Sequence, residues 1–267
     1  MSVSVAAVVP AAGEGRRFRD ARLNGSFREA KRAEGRSKVF VELGGEPMLA
    51  HVLRALDEAP SVTSITVVAR QELVADTREL IERTRTDKAA TVCAGGPSRS
   101  ASVANGVAET PSDAQYVLIH DGARPCLTPA LVESSIAAAK EHGAAVCGLA
   151  SAVTIKAADD KARVRLTLDR ESLWLVQTPQ VFRKDWLVQA LARFGERQPN
   201  GDLDQFPDDA AILEWAGFPV HLVPGDPLNI KVTAPDDLIV AEAILQHRQA
   251  TSDANSAPSH AHRNRLR

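Results

Sequence analysis

The first candidate chemistry in the chain lies in a glycine-rich turn. The segment PAAGEGRRF, residues 10–18, follows an apolar run that ends at Val9. A glycine turn after a buried strand lets a phosphate approach the backbone, and arginines such as Arg16 and Arg17 match phosphate oxygens two at a time. The turn lacks the Gly-Lys-Ser/Thr of a P-loop, and Phe18 replaces the third glycine of a dinucleotide fingerprint. It therefore predicts another kind of phosphate site, with an ordinary tight turn as the alternative.

Five further polar clusters occur at or near predicted strand ends. Ligands of a doubly wound sheet bind outside the carboxyl ends of its strands, so we expect the clusters to converge at that edge. The clusters contain Lys38 in SKVFVELGG, Gly96 and Ser102 in AGGPSRSASVANGV, Asp121 and Arg124 in HDGARP, Thr178 in QTPQ, and Lys231 in NIKVTAPDD.

Composition limits the classes of partner. The chain has 267 residues, 44% of them apolar, which suffices for one sizeable α/β core. Basic and acidic residues nearly balance, at 32 and 34, and aromatic residues make up 4%. This balance does not indicate nucleic acid or an anionic membrane as a partner. Few rings are available to stack on bases.

The cysteines and the N-terminal segment bear on the compartment. Cys93, Cys126 and Cys147 lack zinc-ligand spacing and are odd in number, so we expect small buried side chains rather than a metal site or a disulfide framework. The first residues lack a basic leader region, and no apolar run approaches the ~20 residues that cross a bilayer. We therefore expect a cytoplasmic protein without a membrane span.

Short β-rich runs alternate with longer amphipathic runs along the chain. This alternation predicts an α/β fold with a mostly parallel central sheet and helices on both faces. The predicted strands are residues 3–9, 65–69, 91–94, 116–120, 144–149, 173–176 and 220–223. The predicted helices are residues 47–59, 71–85, 98–109, 129–142, 184–194, 209–215 and 235–247.

Three segments depart from this rhythm, the first two of them within a single domain of residues 1–249. Residues 151–171 alternate apolar and polar side chains around a turn, which predicts a protruding β-hairpin arm. The basic insertion 19–36 is either a solvated loop or a mobile lid over the phosphate site. Residues 250–267 are polar and low in large apolar side chains, so we expect a disordered tail.

This set of motifs, in this order, resembles the 2-C-methyl-D-erythritol 4-phosphate cytidylyltransferases of the non-mevalonate (MEP) isoprenoid pathway. The resemblance covers about residues 5–245 and rests on PAAGEGRRF, SKVFVELGG, HDGARP, TPQVF and NIKVT. It implies a Rossmann-like nucleotidyltransferase that works as a homodimer, with the arm embracing the partner. It also implies transfer of a cytidylyl group from CTP to 2-C-methyl-D-erythritol 4-phosphate with Mg²⁺, giving 4-diphosphocytidyl-2-C-methyl-D-erythritol and pyrophosphate.

The resemblance also implies a role for each site residue. Catalysis falls to Arg17, Lys38 and Lys231, which stabilise charge at the CTP phosphates. Mg²⁺ is held mainly by those phosphates, and no protein ligand is assigned to it. The remaining roles are the nucleotide contacts of Ala11, Ala12, Gly13, Gly96 and Ser102, the alditol phosphate contacts of Asp121, Arg124 and Thr178, and the contacts that Thr154 and Arg170 make in the partner's site.

Several of these residues have plainer interpretations. Asp121 and Arg124 could form a local ion pair, Thr178 could be a turn residue, and Arg170 could pair with a neighbouring carboxylate. For His120 beside Asp121, a hydrogen-bonded core histidine is favoured over a metal ligand. Asp208 and Asp209 could cap the helix that follows or lie near Mg²⁺.

Three other functions compete with this interpretation. The nearest is ribitol 5-phosphate cytidylyltransferase, which shares the nucleotide half of the site. An NAD(P)-dependent oxidoreductase is disfavoured by Phe18, and a catalytically silent dimeric nucleotide binder by Arg17, Lys38 and Lys231. The chain departs from the family pattern at several positions. The connection from Arg17 to Lys38 is unusually long, and Pro97 has no N–H to offer a base.

Overall fold

The computed structural model describes residues 3–13, 18, 37–197 and 203–256. Arg17, the basic insertion 19–36 and residues 257–267 lie outside this part of the chain, so the predictions made for them are not addressed by the structure.

A seven-stranded sheet forms the centre of the fold. Its strands are β1 (Val5–Pro10), β4 (Val62–Ala69), β5 (Ala89–Ala94), β6 (Tyr116–Ile119), β7 (Ala144–Ala150), β10 (Trp174–Arg183) and β11 (His221–Pro224). Two small hairpins supply β2 (Glu42–Leu43) with β3 (Glu46–Pro47), and β8 (Lys156–Ala158) with β9 (Val164–Thr167). The spatial order of the sheet is β11-β7-β10-β6-β1-β4-β5, and every neighbouring pair is parallel except the two that involve β10. The mostly parallel sheet predicted from the sequence is confirmed.

Helices cover both faces of this sheet, as predicted. Side chains alternate along each strand, so β1 sends Val5, Ala7 and Val9 into one core and Val8 into the other. The first core packs against α1 (Met48–Glu58), α2 (Val74–Thr84) and α4 (Pro129–His142), and the second against α3 (Arg99–Ala108), α5 (Lys184–Arg197) and α6 (Asp209–Trp215). Within the described residues, no helix is both long and apolar enough to cross a bilayer.

A third apolar cluster lies beneath the β2–β3 hairpin. It joins Phe18 and Met48 to Val232 and to the buried face of α7 (Asp236–Ser256). This packing fixes the segment that carries Lys231. α7 also continues to Ser256, so the prediction of a disordered tail from residue 250 is wrong for residues 250–256. Those residues are polar, yet they extend a helix that is already nucleated.

The predicted arm is present as the β8–β9 hairpin between β7 and β10. Its turn is held by Asp159, whose side chain accepts hydrogen bonds from the backbone N–H groups of Lys161 and Arg163. The arm projects apolar side chains into solvent, with Val153, Val164 and Leu166 each more than half exposed. Exposure of this kind is typical of a surface that another molecule covers.

The strand predicted at residues 173–176 ends later than expected. The strand expected at residues 173–176 continues as β10 to Arg183, so Thr178 lies within a strand rather than after one. The pairing of β10 with β7 is irregular between Val176 and Gln180, and Thr178 occupies that irregularity. The irregular backbone turns the Thr178 hydroxyl toward the end of β6, where it meets His120.

Candidate active site

An open cleft of about 630 Å³ lies at the carboxyl ends of the central strands. The chain runs outward from β1 to β4 and β5, and then returns to the other side of β1 as β6. The resulting crevice is where ligands bind in open α/β sheets. Its lining comprises Pro10, Ala11, Ala12, Gly13, Lys38, Val39, Arg70, Gln71, Glu72, Gly95, Gly96, Pro97, Ser98, Arg99, Ser102, Asp121, Ala123 and Lys231.

Two lysines far apart in sequence face this one cleft. Lys38 opens a 3-10 turn at Lys38–Phe40, and its Nζ donates to the carbonyl oxygen of Val232 at 2.7 Å. Lys231 is the residue before Val232, and its Nζ lies 2.7 Å from Oδ2 of Asp121. Both ammonium groups therefore belong to a single wall of the cleft. Such a wall can hold more than one phosphate group.

Asp121 is the anionic centre of that wall. Besides Lys231, its carboxylate contacts Arg99 at 3.4 Å and Arg124 at 3.7 Å. Burial alone would raise the pKa of Asp121, but the three surrounding cations hold it well below its usual range. The carboxylate is therefore ionised at neutral pH. The local ion pair of Asp121 with Arg124 exists, as one part of this larger cluster.

A buried hydroxyl fixes the backbone at Asp121. Thr178 Oγ1 accepts the Asp121 N–H at 3.1 Å and lies 3.1 Å from His120 Nδ1. The Arg124 carbonyl oxygen can only accept, so the Nε2 atom of His120, 3.3 Å away, carries a proton and donates to it. In the neutral ring that burial favours, Nδ1 then accepts the threonine proton. Burial lowers the pKa of His120 to about 4. His120 is thus the hydrogen-bonded core histidine that the sequence favoured, and no metal-ligand cluster of three or more His, Cys, Asp or Glu exists among the described residues.

The loop after β5 forms the opposite side of the cleft. Ser98 caps α3 by accepting the Ala101 N–H, and Ser102 Oγ donates to the Ser98 carbonyl and accepts the Gly96 N–H. A Cβ on Gly95 would stand 2.6 Å from Cβ of Ala12, so only glycine lets this loop approach the one after β1. The two loops therefore lie against each other, and both contribute lining residues to the cleft.

Arg99 is a site residue that the sequence analysis missed. Its guanidinium binds both carboxylate oxygens of Asp209, at 3.0 and 2.7 Å, and reaches Asp121 at 3.4 Å. Arg99 lines the cleft, whereas Asp209 lies behind it with a side chain that is 5% exposed. The neighbouring Asp208 caps α6 by accepting the Ala211 N–H, so the capping interpretation is confirmed for Asp208.

The segment before Lys231 is anchored from the sheet. Gln177 on β10 exchanges two hydrogen bonds with the backbone of Asp226, and the Asn229 side chain donates to the Thr178 carbonyl at 2.7 Å. Arg124 donates to the Asn229 carbonyl at 2.9 Å. These bonds fix the approach of Lys231 to the cleft from β6 and β10.

The predicted site residues fall into four groups. Eight line the cleft: Ala11, Ala12, Gly13, Lys38, Gly96, Ser102, Asp121 and Lys231. Arg124 and Thr178 are buried behind Asp121 and are not among the lining residues. Thr154 and Arg170 lie on and beside the arm, away from the cleft of their own chain. Arg17 lies outside the described residues.

The three cysteines are free and take no part in the cleft. Burial raises the pKa of Cys126 to about 11 and that of Cys147 to about 12, and the pKa of Cys93 is also raised by burial. All three are poor nucleophiles at neutral pH. Cys126 and Cys147 are fully buried, as predicted, and Cys93 is partly buried.

A family model described as 2-C-methyl-D-erythritol 4-phosphate cytidylyltransferase matches residues 5–247. The chain belongs to this cytidylyltransferase family. The family inferred from the sequence motifs is thereby confirmed, and the chain is a nucleotidyltransferase.

Individual relatives agree with this assignment. The chain is 38% identical to the 2-C-methyl-D-erythritol 4-phosphate cytidylyltransferase of Halalkalibacterium halodurans, over 91% of this chain and 97% of the relative. It is 40% identical to the enzyme of that name from Pelotomaculum thermopropionicum, over 92% and 95%. The crystal structure of the Thermus thermophilus cytidylyltransferase superposes with a TM-score of 0.69 at 30% identity, covering 92% of this chain and all of that one.

Proposed function

We propose that this cytidylyltransferase transfers the cytidylyl group of CTP to 2-C-methyl-D-erythritol 4-phosphate and releases pyrophosphate. The product is 4-diphosphocytidyl-2-C-methyl-D-erythritol, a precursor in the MEP isoprenoid pathway. The observation that carries the proposal is the shared cleft of Lys38 and Lys231, with the Lys38 ammonium bonded to the carbonyl of the residue after Lys231. The cations of this cleft suit a reaction between two phosphate compounds.

The chemistry needs positioning more than acid–base catalysis. A phosphate oxygen of the alditol phosphate attacks the α-phosphorus of CTP and forms a new P–O bond. The bond from the α-phosphorus to the bridging oxygen of the β-phosphate breaks, and pyrophosphate leaves with that electron pair. The attacking oxygen is already ionised near pH 7, so no general base is required. The task of Lys38, Lys231 and Arg17 is to offset the repulsion of two anions and the growing negative charge.

The nucleotide is proposed to lie across the ends of β1 and β5. The cytosine ring is proposed to enter the cleft beside Gly96 and Ser102, with the ribose and phosphates along the backbone of residues 11–13. CTP is proposed to enter as its magnesium complex, with the ion held by the phosphate oxygens. Asp121 is not proposed as a magnesium ligand, because its carboxylate already contacts three cations of the protein.

The acceptor is proposed to bind on the β6 side of the cleft. Asp121 faces it directly, while Arg124 and Thr178 hold Asp121 and the adjoining backbone. We also propose a homodimer in which Thr154 and Arg170 enter the partner's site. The exposed apolar side chains of the arm support this assembly.

The compartment proposed is the cytoplasm. The described chain contains three free cysteines, which suit a reducing environment. No partner of nucleic acid or membrane type is proposed.

Pyrophosphate release in the presence of Mg²⁺ tests the function. CTP is combined in turn with 2-C-methyl-D-erythritol 4-phosphate and ribitol 5-phosphate, and UTP and ATP then replace CTP. We expect the highest kcat/KM with CTP and the methylerythritol phosphate. A higher kcat/KM with ribitol 5-phosphate would identify the enzyme as a ribitol 5-phosphate cytidylyltransferase. No turnover with either alditol phosphate would reject the proposed function.

A further inference from the structure

Four side chains of alternating charge form a continuous row from the protein interior to the cleft. Asp209 binds Arg99 through both carboxylate oxygens, Arg99 reaches Oδ1 of Asp121 at 3.4 Å, and Oδ2 of Asp121 contacts the Lys231 ammonium at 2.7 Å. The row joins residues from the start of α6, the start of α3, the end of β6 and the segment before α7. No single element holds it together.

Asp209 stands at the buried end of this row. Its side chain is 5% exposed and does not line the cleft, so it is not placed to contact a ligand directly. It meets the fork of Arg99 bidentately, and this geometry fixes the plane of the guanidinium as well as its position. The opposing charge of Asp209 contributes to raising the pKa of Arg99, against the effect of burial.

The fixed guanidinium in turn orients Asp121. Arg99 takes Oδ1, and Oδ2 is left for Lys231 and for Arg124, whose Nε is 3.7 Å away. Arg99 is about one-third exposed on a long stem. Without Asp209 its whole fork could turn onto Asp121 and compete with Lys231 for Oδ2. The ammonium of Lys231 would then lose the contact that sets its place on the cleft wall.

We propose that Asp209 is a positioning residue of the transferase reaction, acting through Arg99 and Asp121 on the ammonium group of Lys231. This inference rests on the proposed function, in which Lys231 stabilises charge at the α-phosphorus. Asp209 touches no substrate in this scheme. Loss of Asp209 should lower kcat, because a displaced Lys231 ammonium stabilises the transition state less, while CTP in the ground state loses little binding energy.

The test compares Asp209→Asn, Arg99→Met and the double variant. Each single variant is expected to lower kcat on the order of 10²-fold, the scale of a misplaced catalytic group. The dissociation constant of CTP, measured by calorimetry without the alditol phosphate, should change by less than about threefold. If Asp209 acts only through Arg99, the double variant is no slower than Arg99→Met. Losses that multiply in the double variant would overturn the proposal.

Asp208→Asn is the matched control. This neighbouring carboxylate caps α6 and accepts a hydrogen bond from Gln180, and it makes no contact with Arg99 among the bonds of the described residues. We expect a lower Tm with kcat within about twofold of the parent protein. If both aspartate variants lose kcat in the same proportion to Tm, Asp209 is merely structural and the proposal fails.

A readout without turnover separates this inference from the proposed function. In a crystal structure of Asp209→Asn, Arg99 should lie closer to Asp121, and the distance from Lys231 Nζ to Asp121 Oδ2 should exceed hydrogen-bonding range. An unchanged Lys231 contact would overturn the positioning role, whatever the enzyme acts on. Absence of turnover in the parent protein, with the expected displacement in the variant, would reject the proposed reaction and leave the structural coupling standing.

Discussion

The Lys38 ammonium and the Val232 carbonyl oxygen are 2.7 Å apart, although 194 residues separate them in the chain. This bond ties the 3-10 turn that begins at Lys38 to the segment that carries Lys231. The cations nearest the proposed α-phosphorus are therefore joined through the backbone beside Lys231. Protein groups hold both ammonium groups on the cleft wall, and such preorganisation is what electrostatic catalysis requires.

Replacing Lys38 by Met tests this arrangement directly. Methionine keeps most of the aliphatic volume and removes the charge, so we expect kcat to fall on the order of 10²–10³-fold with a small change in Tm. The measurement is steady-state pyrophosphate release with a parallel thermal melt.

Lys88→Met is the control for Lys38→Met. Lys88 also donates to backbone carbonyls, including that of Ala59. It precedes β5, so it lies at the amino end of that strand, whereas the cleft lies at the carboxyl ends. Its replacement should lower Tm and leave kcat unchanged. Equal loss of kcat in both variants would contradict the role of Lys38.

Thr178→Val should destabilise the protein through two buried groups. The change keeps the side-chain shape but leaves the Asp121 N–H and the His120 ring nitrogen without their shared hydroxyl. A buried unsatisfied group costs about 1–3 kcal/mol, and we expect a loss in this range in urea denaturation. Thr178→Ser retains the hydroxyl and should recover most of the stability. Equal stability of the Val variant and the parent would show that these bonds contribute nothing.

His120 should make stability depend on pH below neutrality. Burial lowers its pKa in the folded protein from 6.5 to about 4, so between these values the unfolded chain binds the extra proton. The free energy of unfolding therefore falls as pH drops from about 7 to 5, with a limit of about 3 kcal/mol at lower pH. The pKa of Asp121 is lowered in the folded protein, so its contribution to the free energy of unfolding is lost only at a pH below about 3.8, its pKa in the unfolded chain.

The measurement is the slope of unfolding free energy against pH. In His120→Gln the slope between about pH 7 and 5 should be shallower than in the parent, whatever the absolute stability of the variant. Identical slopes would mean that the folded protein tolerates a charged His120.

Subunit mixing tests whether the arm completes a partner's site. Lys38→Met and Arg170→Ala are each expected to be nearly inactive, the first through its own cleft and the second through its neighbour's. In a mixed dimer, one cleft would combine a native Lys38 with a native Arg170. Random mixing of equal amounts should therefore restore roughly a quarter of parental activity. Activity no higher than the average of the two variants would place Arg170 outside the partner's site, and sedimentation of a monomer would reject the dimer.

Many of the helices and strands could be predicted from the sequence, because their local signals were strong. α4 has the predicted bounds, since Thr128 caps it, Pro129 suits its first turn, and Gly143 ends it at a φ of 88°. α6 likewise begins after the Asp208 cap. The strand order and the antiparallel placement of β10 in the central sheet depend on pairings between distant segments, and these left no local pattern.

The site was predicted less evenly. Residues predicted from glycine turns and strand-end motifs line the cleft because chain direction fixes their positions in an α/β sheet. Arg99 was missed because its partner Asp209 lies 110 residues away and only the folded chain brings them together. One signal in the sequence was available. Arg99 is a cation directly after the Ser98 helix cap, in a segment whose Gly96 and Ser102 were already assigned to the nucleotide. Thr178 was predicted to contact the alditol phosphate, but it is buried behind Asp121, and its burial within β10 could not be read from QTPQ.

β10 leaves the base of the arm at Trp174 and continues to Thr178, whose hydroxyl hydrogen-bonds to the Asp121 backbone. If the proposed dimer forms through the arm, its contacts and the hydrogen bond that holds the Asp121 backbone belong to one strand. Mutations that reshape the hairpin are then expected to alter turnover as well. Under that proposal, evolving a new self-association surface and retaining catalytic geometry become a single constraint.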